Sequence, residues 1–117
     1  MSISEWLESF RGAPKVVLNE KYIDNKGAKE VAKFLESHGK VELLELKSND
    51  ISGIGFADIF KALLKNVSIR QVIIEHNKLG EEGEDLWPSY FDELMRKSTR
   101  LERLNFSNNK INARAFN

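Results

Sequence analysis

Two histidines, His38 and His76, are the side chains of this sequence whose unperturbed chemistry lies nearest neutral pH. They could serve as general bases or metal ligands, and neither has the company that such work needs. The chain has no cysteine, which excludes a thiol nucleophile, a disulfide framework and a Cys-ligated zinc site. No GxxxxGK[ST], GxGxxG, GxSxG or HExxH pattern occurs, and no paired-carboxylate motif stands near either histidine. His38 precedes Gly39 at an expected helix end, where a cation complements the helix dipole. His76 directly precedes Asn77 and is expected at the rim of a sheet. No catalytic, cofactor-binding or metal-binding residues are therefore assigned, no cofactor is expected, and the chain reads as a non-enzyme.

Composition narrows the remaining classes. The 117 residues fit one domain, large enough to bury a core without staples. Eighteen Lys and Arg balance eighteen Asp and Glu, which removes the electrostatic case for nucleic acid or an anionic membrane. A content of 41% hydrophobic and 31% charged residues is that of an ordinary soluble globular chain. Apolar runs such as Val72-Ile73-Ile74 are far too short to span a bilayer. The first residues, MSISEWLESF, carry acids where a secretion signal needs basic residues and an apolar stretch. A cytoplasmic setting is the expectation.

A repeat sets the architecture. Val41–Ile51 (VELLELKSNDI), Ile69–Leu79 (IRQVIIEHNKL) and Leu101–Ile111 (LERLNFSNNKI) superpose on the form LxxLxLxxNxL. A degenerate copy, Ala13–Ile23, has Lys21 where the Asn belongs. The marker positions 21, 49, 77 and 109 are spaced by 28, 28 and 32 residues. This motif resembles the leucine-rich repeat. The repeat length, with Gly27, Gly55 and Gly83 each six residues past a marker, is similar to the ribonuclease-inhibitor-like subfamily.

The residues carry a physical reading of their own. Leu44 and Leu46 alternate at strand period and point to one face. Asn49 ends the strand in a turn, where its amide can satisfy backbone groups that no ladder reaches. Gly55 opens a helix with Phe56, Ile59, Phe60, Leu63 and Leu64 on one stripe, and Ala28, Val31, Ala32 and Leu35 do the same one repeat earlier. Strand and helix repeated without reversal predict an α/β solenoid of about 3.5 repeats. Its parallel sheet lines the concave face and its helices form the convex one. The expected divisions are residues 1–12 for an N-terminal capping helix, then repeats at 13–40, 41–68, 69–100 and an incomplete 101–117.

Ser2 and Glu5 form a capping box before Ile3, Trp6, Leu7 and Phe10 at helical spacing, so the N-terminal helix is expected to cover the first repeat. The C-terminal edge is expected to lie uncapped, either because the chain is a piece of a longer solenoid or because that edge self-associates. The third repeat has four extra residues within Gly80–Tyr90, with Pro88 suited to the first position of a helix reaching Lys97. Trp87 and Tyr90 are expected to pack, and the acidic run 81–85 complements that helix's dipole.

With no chemistry assigned, a surface remains. The residues between core positions point into the concave face in three columns: Lys15, Leu43, Gln71 and Arg103; Val17, Glu45, Ile73 and Asn105; Asn19, Lys47, Glu75 and Ser107. Val17, Leu43 and Ile73 form an apolar spot rimmed by charge of both signs, the composition of a protein interface. The expected function is binding of a protein partner on Lys15, Val17, Leu43, Glu45, Lys47, Gln71, Ile73, Glu75, Arg103 and Asn105. The subfamily resemblance implies such partners as ribonucleases, GTPases, actin or innate-immune ligands. The stretch from Lys47 to Gly55, KSNDISGIG, is similar to tropomodulin and leiomodin, which implies actin. Regulation of a small GTPase, as in Ran GTPase-activating proteins, is the other implied activity, with Arg70 or Arg103 as the available arginines.

Overall fold

Each strand of the sheet is three residues long, and its middle residue carries the burial. Val16, Leu44 and Val72 are fully buried, and Leu104 is half-buried. The computed structural model describes residues 2–38, 40–97 and 100–111. In chain order these form α1 (Ile3–Ser9), β1 (Lys15–Val17), α2 (Asn25–Ser37), β2 (Leu43–Glu45), α3 (Gly53–Leu63), β3 (Gln71–Ile73), α4 (Pro88–Lys97) and β4 (Arg103–Asn105). The sheet has the order β1-β2-β3-β4, every pairing is parallel, and Lys15, Leu43, Gln71 and Arg103 stand in register. This is the expected α/β solenoid. Adjacent helices α2, α3 and α4 pack on one another and on the buried face of the sheet.

Past each strand the chain makes the same turn. Glu20, Ser48, His76 and Asn108, each just before a marker position, all take the left-handed conformation at φ 54 to 57°. None is glycine, so the strain must be offset by fixed partners. Those partners are neighbouring strands: the N–H groups of Glu20, Ser48 and His76 donate to the carbonyls of Lys47, Glu75 and Ser107 at 2.9 to 3.1 Å.

The marker asparagines clamp one repeat to the one before it. Asn49 Oδ1 accepts the N–H groups of Lys21 and Ile23, both at 3.0 Å, while its Nδ2 donates to Leu18 O and Leu46 O. Asn77 and Asn109 reach back in the same way to Leu46 O and Ile74 O. All three are buried and satisfied, as buried amides must be. Lys21 lies on the outermost strand's turn, with no strand upstream to clamp, and it is exposed.

One helix start departs from the sequence reading by two residues. Ser52 caps α3, its Oγ accepting from Ile54 N–H, so the helix begins at Gly53 rather than Gly55. Asp24 caps α2 in the same register through Gly27 N–H. Gly55 is then buried in the first turn, where a Cβ would stand 2.6 Å from Ile51 Cγ2 and 2.7 Å from Asn25 Oδ1. Gly83 opens no helix; it takes φ +77° in the loop before α4. On α3 the chain buries Phe56, Ile59, Phe60 and Leu63, each contributing about 1.5–3 kcal/mol. Leu64, expected on that stripe, is the helix's last cap and only half-buried.

The extra residues of the third repeat deliver an aromatic plug. Trp87 is fully buried and meets Phe60 and Phe91 edge-on at ring separations of 6.1 and 5.7 Å. Tyr90 packs half-buried against the same core. At the other end α1 carries the capping box, buries Leu7, and lays Ile3, Trp6 and Phe10 against the core. The fourth repeat's last residues, 112–117, lie outside the described residues.

Candidate interaction surface

The sheet face away from the helices is built from the residues flanking each buried middle position. Its first row runs Lys15, Leu43, Gln71, Arg103, and its second runs Val17, Glu45, Ile73, Asn105. The first two of the three expected columns therefore stand in register.

Their exposure corrects one assignment. Val17 is 38% exposed and Leu43 half-buried, but Ile73 is only 6% exposed and cannot present itself to a partner. It lies outside the contiguous core, flanked in register by Glu45 and Asn105. On a central strand its side chain is flanked on both sides by the paired residues, within reach of cross-strand contact. The apolar spot therefore reduces to Val17 and Leu43, towards the β1 edge.

The third column is a polar network that the spacing alone did not reveal. Asn19 Nδ2 donates to Glu45 Oε1 at 3.0 Å, and Asn19 Oδ1 accepts Lys47 N–H at 2.7 Å. Lys47 Nζ stands 3.8 Å from Glu45 Oε1. Asn105 Oδ1 accepts from both N–H and Oγ of Ser107. These bonds link Asn19 with Glu45 and Lys47, and Asn105 with Ser107, across and along the face. The signal for them was the column itself: Asn opposite Lys and beside Glu, one strand apart.

The two arginines differ. Arg70 is tied between Glu42 at 3.4 Å and Glu102 at 3.5 Å. Arg103 is exposed and makes no ion pair among the described residues. His38 stacks on Phe34 at 4.2 Å and its Nδ1 lies 3.0 Å from Phe34 O, a helix-end role. His76 is an exposed turn residue whose Nε2 stands 3.5 Å from Asn108 Nδ2. Among the described residues no group of three or more His, Cys, Asp or Glu could hold a metal ion. Among them, too, no helix is long and apolar enough to cross a membrane.

No family model matches the sequence. The chain is 35% identical over 100 residues to Leucine-rich repeat-containing protein 45 of Gallus gallus, a match that covers 84% of this chain. It spans only 14% of that relative's length. The strand–turn–helix units, their buried asparagine clamps and this similarity together place the chain in the leucine-rich-repeat family.

Proposed function

We propose that the chain is a non-enzymatic protein-interaction module of the ribonuclease-inhibitor-like kind, and that a protein partner docks on the open, concave face of its sheet. Full helices of 13 and 11 residues in α2 and α3 support that subfamily. The observation that carries the binding reading is the mixture of apolar and polar groups on that face, with Asn19, Glu45, Lys47, Asn105 and Ser107 already bonded to one another. Val17 and Leu43 supply apolar area, while Lys15, Glu45, Lys47, Gln71, Glu75, Arg103 and Asn105 supply polar groups of both signs around them. Alternating charge fits a protein surface better than a polyanion. A double variant, Val17→Lys with Leu43→Glu, tests it. Each new charge lies in register with an opposite one, Glu45 or Lys15, so folding is preserved while the apolar spot disappears. A partner captured by the wild-type chain and lost by the variant, with both melting alike, supports the reading. Equal capture by both rejects that face.

A second reading rests on the other end of the sheet. Leu104, Phe106 and Ile111 are half-buried where their counterparts Leu44, Leu46 and Ile51 are fully buried. Among the described residues no strand pairs with the outer edge of β4, so that edge offers apolar area and free strand groups, which supports self-association there. A mass by light scattering that rises with concentration supports it, and a strict monomer sinks it.

A further inference from the structure

A groove of about 540 Å³ lies between α1, the β1–α2 loop and α2, away from the open sheet face. Ile3 and Trp6 form part of its apolar wall, and Lys21, Lys26, Lys29 and Lys33 rim it. Lys26, Lys29 and Lys33 recur every three or four residues on α2, so their ammonium groups share one stripe and repel one another. Glu30, one turn from Lys26 and from Lys33, offsets only part of this repulsion, and among the described residues no carboxylate lies within ion-pair distance of these three. Lys21 instead stands 4.9 Å above the Trp6 ring. The groove also holds two acids, Asp24, which accepts Gly27 N–H at 2.9 Å, and Glu30, which accepts from Ser4 Oγ at 3.2 Å, so four lysines face two carboxylates and the excess is positive. Tyr22, 88% exposed and left-handed at φ 56°, adds a large apolar surface at the mouth.

We propose that this groove binds an acidic peptide segment bearing an aliphatic or aromatic side chain. Its carboxylates meet the ammonium groups of Lys26, Lys29 and Lys33, and its apolar side chain lies against Trp6 and Tyr22. Unpaired like charges beside an apolar wall are complementary to alternating carboxylates and hydrophobes. A concave groove admits a chain segment, whereas a bilayer surface would meet only its rim.

The probe is a fluorescein-labelled peptide of alternating glutamate and leucine, read by anisotropy at low and physiological salt. Binding is expected, and it weakens as salt screens the lysines. Lys29→Glu with Lys33→Glu should weaken it about tenfold or more, and Tyr22→Ala by roughly threefold. All these side chains are exposed, so the thermal melts should be unchanged. Val17→Lys with Leu43→Glu should leave the affinity as it was, which separates this groove from the open face. Equal affinity of the lysine variant, equal binding of a peptide with lysine in place of glutamate, or recovery on phosphatidylserine vesicles while the peptide stays unbound would each overturn the proposal.

Discussion

Asn77 Nδ2 stands 2.7 Å from the carbonyl oxygen of Leu46, a residue 31 positions earlier in the chain. The same amide's Oδ1 accepts Ile51 N–H at 3.2 Å, and its Nδ2 also reaches Ile74 O at 3.1 Å. One side chain thus ends its own strand and fastens the preceding repeat. Asn77→Ala leaves buried carbonyl and N–H groups unpaired and should cost about 1–3 kcal/mol. Lys21→Ala, at the equivalent but exposed position, should stay within about 1 kcal/mol of wild type. Urea denaturation of both variants checks the contrast, and equal losses would contradict the clamp.

Core truncations should follow position along the sheet. Leu46 is fully buried, so Leu46→Ala should cost about 2–5 kcal/mol. Leu104→Ala removes a half-buried side chain at the β4 edge and should fall clearly below that range. The same denaturation measurement ranks them.

Gly55→Ala tests the close approach of adjacent repeats. The added Cβ would meet Ile51, Asn25 Oδ1 and Ala28 Cβ at 2.6 to 2.9 Å. Asn25 Oδ1 is itself fixed, accepting the N–H groups of Ser52 and Gly55 at 2.9 and 3.1 Å. Overpacking of about 1–3 kcal/mol is expected, visible as a lower melting temperature.

The two tryptophans give an optical check on the third repeat. Trp87 is fully buried among Phe60 and Phe91, whereas Trp6 is half-buried under Lys21. Trp6→Phe should leave a blue-shifted emission that moves red only on unfolding. Trp87→Ala should cost about 3–5 kcal/mol. A water-like emission from folded Trp6→Phe protein would contradict the aromatic plug.

Much of the fold was legible because its signals are local and periodic. Leu44 and Leu46 declare a strand face at period two, Asn49, Asn77 and Asn109 mark the turns, and Pro88 marks the start of α4. These depend on a residue and its near neighbours, so repetition makes them readable without coordinates. The sequence places the start of α3 two residues late because Ser52 declares its capping role only when the backbone at Gly53 and Gly55 is already packed against its neighbours.

Exposure was a different matter. Alternation put Val17, Leu43 and Ile73 on one face, and the pairing register agrees. Only tertiary structure decided that Ile73 is hidden while Val17 is not: Ile73 has a paired strand on each side and Val17 on one. The left-handed turns at Glu20, Ser48, His76 and Asn108 were equally silent, since no glycine announces them, and the first three are held by hydrogen bonds to the next repeat. By itself the sequence determined which way each side chain points, a property of the backbone period. The tertiary structure decided what each one meets there, because neighbours in space come from residues about a repeat apart in the chain.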